Sequence, residues 1–123
     1  MIVVIFESEP RPDRMQAYLD AAATLRPLLA DVDGFISIER YESLSRRGKV
    51  ASISFWRDAE AVRRWRNAEA HRSVQSLGRA AIFADYRLHV AEVIRSYGMY
   101  ERSDAPDDSA DIHGRVQLAP PRR

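Results

Sequence analysis

The order in which hydrophobic period changes along the chain constrains its fold more tightly than composition does. Residues 1–7, MIVVIFE, are β-branched or apolar at both odd and even positions, the pattern of a strand buried on both faces. PRPDR ends this run, and from Pro12 onward Met15, Tyr18, Leu19, Ala22, Leu25, Leu28 and Leu29 recur at helical spacing. Pro27 falls inside that helix, where it removes a backbone bond and predicts a bend over residues 24–28, with a stop before Gly34. Residues 35–44 and 50–56 alternate on either side of SRRGK, a glycine-containing turn, and read as a β-hairpin. Asp58 is a good N-cap, with Glu60 in the first turn, for a second helix whose apolar face carries Ala61, Val62 and Trp65. Asn67 is expected to interrupt it, and a second segment sets Ala70, Val74, Leu77 and Ala81 on one face. Residues 86–100, rich in valine and aromatics, read as one long last strand.

Strand, helix, strand, strand, helix, strand is the order of an α+β, ferredoxin-like βαββαβ fold with a four-stranded antiparallel sheet and both helices on one face. The other face is also apolar, since Ala51, Ile53 and Phe55 alternate with Trp56. One layer of helices cannot cover both faces, so a second copy is expected to, as a homodimer. At 123 residues the chain holds one domain, here residues 1–101. Residues 102–123 place Pro106, Pro120 and Pro121 among Asp104, Asp107, Asp108 and Asp111 and read as a flexible tail.

Charge removes several function classes. Eighteen of the nineteen basic residues are arginine, Lys49 being the exception, and eighteen acids interleave with them, so no basic stripe marks a nucleic-acid partner. No apolar run approaches the roughly 20 residues of a membrane span. The opening stretch lacks a basic lead and a small-residue cleavage site, so a cytoplasmic protein is expected. The absence of cysteine excludes thiolate catalysis and disulfides. His71, His89 and His113 lie far apart, so no metal is expected, and no glycine-rich phosphate loop suggests a nucleotide cofactor.

MIVVIFE, DVDGFISIERYES, SISFWRDAEAVRRWRNAEAH and DYRLHVAEVIRSYG together resemble the antibiotic biosynthesis monooxygenase-like domains of the dimeric α+β barrel superfamily, over about residues 1–100. The third stretch is the most specific. The resemblance implies a dimeric α+β barrel and, in several branches, oxygen chemistry that needs no cofactor. In the haem-degrading branch it implies an asparagine near the end of strand one and a histidine ten residues after the helix-two tryptophan. Glu7 and Gln75 stand at those approximate positions, so haem degradation is not expected.

The candidate catalytic residues are His71, which as a neutral imidazole can accept a phenolic proton, and Trp65, whose ring can wall a flat substrate. The alternatives are a local cap for His71 and core packing for Trp65. Val74, Gln75 and Gly78 share a helix face with His71 and would line a substrate pocket between helix and sheet, with Tyr86 and His89 on the last strand opposite. Arg63, Arg64 and Arg66 flank Trp65 and read as a solvated face. The expected function is a cofactor-independent monooxygenase acting on a small aromatic or quinol-type molecule. The alternative is a non-catalytic dimeric module that binds a small ligand or serves in stress.

Overall fold

The structure, a computed structural model, describes residues 1–75 and 81–107, and for residues 70–75 the backbone alone. The elements are β1 (Ile2–Pro10), α1 (Met15–Ala30), β2 (Phe35–Glu42), β3 (Val50–Trp56), α2 (Ala59–Gln75) and β4 (Phe83–Glu92). Their order and the sheet order β2-β3-β1-β4, antiparallel throughout, are those of the expected ferredoxin-like α+β fold. β1 is central, as its two-faced apolar run required. Two compact units divide the chain, residues 1–92 and 93–123.

Register sorts the side chains into two faces. Ile2 pairs with Trp56, Val4 with Ser54, Phe6 with Ser52 and Ser8 with Val50, and this even-numbered set lies under the helices. One cluster there joins buried Leu29 of α1, Trp56 and Ala61 of α2, with Ile2, Val4, Ile38 and Trp65 against it. The second joins Tyr18, Val50 and Phe83, with Phe6 and Met15. Trp56 is only 2 % exposed. Its indole Nε1 donates to Ser54 Oγ at 2.9 Å, and the Ser54 hydroxyl donates in turn to the Val4 carbonyl at 3.4 Å. The buried ring nitrogen is therefore satisfied. Small serines at positions 8, 52 and 54 are all buried, where larger side chains would hold the helices off the sheet.

Two sequence expectations change, the break in α2 and the length of the last strand. A short 3-10 turn, Pro12–Arg14, precedes α1, which then runs through Pro27 to Ala30. Ala23 and Pro27 are both exposed, so the carbonyl that loses its partner four residues back sits on the solvent side. α2 is not broken at Asn67 but continues to Gln75. β4 ends at Glu92, opposite Ile2, rather than at Tyr100. Asp58 caps α2 as expected, accepting the Ala61 N–H at 2.9 Å. No helix among the described residues is long and apolar enough to cross a membrane.

Candidate functional site

β4 presents a different surface to each side of the sheet. Tyr86 pairs with Ser8, Leu88 with Phe6, Val90 with Val4 and Glu92 with Ile2, so these four β4 residues face the helix side. Tyr86, Leu88 and Val90 are each about half exposed there. The Tyr86 ring lies 5.5 Å from that of Phe6 and 6.0 Å from that of Phe83, which joins it to an aromatic group that continues to Tyr18. The strip has a phenol at one end, a carboxylate at the other and aliphatic side chains between. It spans about 20 Å at ~3.3 Å per residue. An apolar surface this size, bounded by two polar groups, suits a small organic ligand held by its body and oriented at its ends.

His89 falls on the opposite face. It pairs with Ile5, and its Nε2 lies 3.2 Å from Glu7 Oε2. His89 therefore cannot line a helix-side pocket with Tyr86, because adjacent faces of one strand point apart. Lys49 Nζ approaches the other Glu7 oxygen at 3.5 Å, and Arg46 pairs with Glu9. The hydrogen bond from His89, and then the Lys49 charge, hold the Glu7 carboxyl below its ordinary range. A polar groove of about 200 Å³ is lined by Glu7, Ser8, Glu9, Arg46, Lys49, Asp85, Tyr86 and Arg87. Among the described residues no acidic or histidine cluster of metal-binding geometry occurs. Glu7 points away from the helices, with Phe6 and Ser8 flanking it on the helix side.

Of the helix residues singled out by sequence, Trp65 packs half-buried against the Leu29, Trp56 and Ala61 cluster, while Tyr86 borders the Phe6 and Phe83 group. Both lie on the helix side of the sheet, in different clusters. His71, Val74 and Gln75 lie on the last turns of α2, their side chains outside the described residues, as is Gly78 altogether. The unbroken helix removes the expected re-aiming of His71: position 71 is about 120° round the axis from position 65. The arginines are as expected. Arg63 pairs with Glu60 at 2.9 Å, Arg64 donates to the Asp33 carbonyl at 3.1 Å, and Arg66 is exposed.

Sequence reasoning set Leu88 and Val90 on one face of the last strand without deciding which face meets the helices, and did not join Tyr86 and Glu92 to them. The period-two alternation of RLHVAE carried that signal, but the choice of face needed the register with β1.

The family model for antibiotic biosynthesis monooxygenase matches residues 1–77. The chain belongs to this family. It is 47% identical over 96 residues to the jasmonate monooxygenase ABM of Pyricularia oryzae, covering 78% of this chain but 45% of that protein. The chain thus spans less than half of that relative's length. It is 29% identical over 92 residues to the uncharacterised protein YqjZ of Bacillus subtilis, covering 75% of this chain and 78% of that one. Rv0793 of Mycobacterium tuberculosis superposes with a TM-score of 0.67 at 18% identity, over 79% of this chain and 98% of that one. At that identity the likeness speaks for the fold alone, which is that of the family.

Proposed function

We propose that the chain is a monooxygenase that holds a small, largely apolar organic molecule against the helix-side strip of β4. The observation that carries this reading is the half-exposed run of Tyr86, Leu88 and Val90 on the face the helices should cover, in a chain of a monooxygenase family. The name of the Pyricularia relative supports a jasmonate-like substrate, and the aromatic rim of Phe6 and Tyr86 supports a flat phenolic or quinol-type one. The two differ in electron supply. An anthrone methylene is oxidised to a ketone by one dioxygen with release of one water, so the substrate furnishes every electron and no cofactor is required. Hydroxylating a saturated carbon of a jasmonate consumes two further electrons and two protons from an added reductant.

Tyr86 would orient the substrate and Glu92 would take its proton, with Trp65 walling it; on the unbroken α2, His71 stands about 120° round the axis from Trp65 and would not face the same molecule. Val74, Gln75 and Gly78 would complete the lining from α2. The outer sheet face leaves Val3, Ile5, Ile53 and Phe55 only partly buried, with neither α1 nor α2 among the described residues packed on them, which supports a homodimer closed on that face.

Oxygen uptake tests the reading. Quinols, anthrones and jasmonic acid are supplied with and without a reductant, and the substrate that turns over should consume one dioxygen per molecule. Leu88→Asp, a charge on the apolar strip, should lower kcat/KM at least about tenfold, equivalent to about 1.4 kcal/mol of transition-state stabilisation. Binding of these compounds without uptake under any condition would leave the non-catalytic ligand-binding module instead.

A further inference from the structure

We propose that Arg40 of β2 and Ser52 of β3 form a binding site for a small oxyanion, a carboxylate or a phosphate, on the helix side of the sheet. The two residues are direct partners across the β2–β3 ladder. Ser52 pairs in turn with Phe6, so both belong to the even-numbered set beneath the helices, with Cβ atoms about 5 Å apart.

Both side chains carry donors that no group among the described residues takes up. The Arg40 Nε–H is buried, and no acceptor reaches it. The residue is half-buried, and its terminal nitrogens, which do reach solvent, pair with no carboxylate or carbonyl among the described residues. Exposed arginines such as Arg47 and Arg66 are satisfied by water, whereas a buried donor without an acceptor carries its full desolvation cost. The acids nearest in sequence do not serve Arg40. Glu39 lies on the opposite face and accepts the Tyr41 hydroxyl at 3.0 Å. Glu42, two residues on along the same face, is exposed and makes no ion pair with Arg40.

Ser52 repeats the pattern. It is 8 % exposed, one of three buried serines on this face. Ser8 donates to the Val50 carbonyl at 3.2 Å and Ser54 to the Val4 carbonyl at 3.4 Å, but the Ser52 hydroxyl has no partner among the described residues. A guanidinium and a hydroxyl side by side, both unsatisfied, call for an acceptor with more than one oxygen. The planar fork of arginine matches a carboxylate or phosphate in shape and supplies the charge such a group needs.

The site is separate from the β4 strip. Arg40, Ser52, Phe6 and Leu88 stand in one row across the four strands, about 14 Å from end to end at ~4.8 Å per strand. Phe6 lies between, its ring 5.5 Å from that of Phe83 and packed against the cluster of Tyr18 and Val50. The oxyanion is therefore a second ligand, and it stands independently of the monooxygenase reading.

Thermal melts in phosphate, acetate and chloride, at one pH and one ionic strength, test it. Phosphate or acetate should raise the Tm saturably, by about 3 °C over chloride; a rise in phosphate alone selects a phosphate ligand, and a rise in acetate alone an organic acid. Arg40→Met keeps the apolar stem and removes the donors. It should lose the rise while melting no lower than the unaltered chain in chloride, because the buried orphan is gone. Ser52→Ala should shift the midpoint of the rise to at least about threefold higher anion, as expected when one hydrogen bond to a charged group is lost. Arg47→Met should leave it unchanged. Equal melting of the unaltered chain in all three salts, or a rise that survives Arg40→Met, overturns the site. An Arg40→Met chain that melts well below the unaltered one in chloride shows the Arg40 donors already satisfied within the protein and overturns it too.

Discussion

Gly34 illustrates how much one residue's backbone can carry. Its φ of +92° lies in the left-handed region, and a Cβ added there would meet Ala61 Cβ at 2.6 Å, with Ala61 fully buried at the start of α2. The Gly34 carbonyl also accepts the Arg57 N–H at 2.7 Å, and Asp33 beside it takes both Arg57 terminal nitrogens at 3.1 and 3.0 Å. The turn before β2 and the turn before α2 are thereby pressed together. Gly34→Ala should cost at least about 2 kcal/mol, from left-handed strain and overpacking together. Gly48, at φ +84° with nothing within 4 Å of an added Cβ, should lose only the conformational part, about 1 kcal/mol on substitution by alanine. Urea midpoints of the two variants check the difference, and equal losses would refute the close-approach argument. The Asp58 cap was legible in sequence because its partner is three residues away. The Gly34 contact was not, because Ala61 is brought to it by tertiary packing.

At the scale of elements, misreadings came from treating local preference as decisive. Asn67 is a weak helix former, but its disadvantage relative to alanine is under about 0.7 kcal/mol. Ala68, Glu69 and Ala70 follow it, so continuing α2 is easier than stopping. At Pro27, which the sequence already placed inside α1, the local disadvantage is larger. Proline in a helix interior is about 3 kcal/mol worse than alanine, yet α1 persists because Tyr18, Ala22 and Leu29 are buried along its inner face. Pro27→Ala should therefore stabilise the fold by about 1–3 kcal/mol, the lower bound allowing for proline's stiffening of the unfolded chain. Thermal melts followed by circular dichroism test this, and an unchanged or lower Tm would show that proline costs α1 nothing. β4 ended early for a different reason: a strand extends only as far as it has a neighbour, and the last paired residue of β1 is Ile2.

For the molecule as a whole, exposed ion pairs set the acid limit. Glu7 is held below its ordinary 4.5 by His89 and then Lys49. Asp33 is held below 3.8 by Arg57, and Asp58 by the Ala61 N–H and then Arg57. Each carboxyl has a lower pKa folded than unfolded, so near pH 4 the unfolded chain binds more protons. Their contributions are present above about 4.5 and lost as pH falls through the folded values. Urea midpoints should be level from pH 7 to about 5 and then decline toward pH 3, less steeply in Glu7→Gln. A midpoint that holds constant to pH 3 would show that these pairs add nothing to folding.

Sequence alone determined the element types, the central place of β1, the α2 cap, the solvated arginines and the family, because each rests on periodicity, local chemistry or contiguous motif. Only the tertiary structure decided which face of β4 meets the helices, that His89 turns away to Glu7 while Tyr86, Leu88, Val90 and Glu92 form one strip, and where β4 stops. Those outcomes depend on pairing between residues distant in sequence, such as Ile5 with His89 and Ser8 with Tyr86. Alternation along a strand defines two faces but carries no information about which one a distant neighbour will cover.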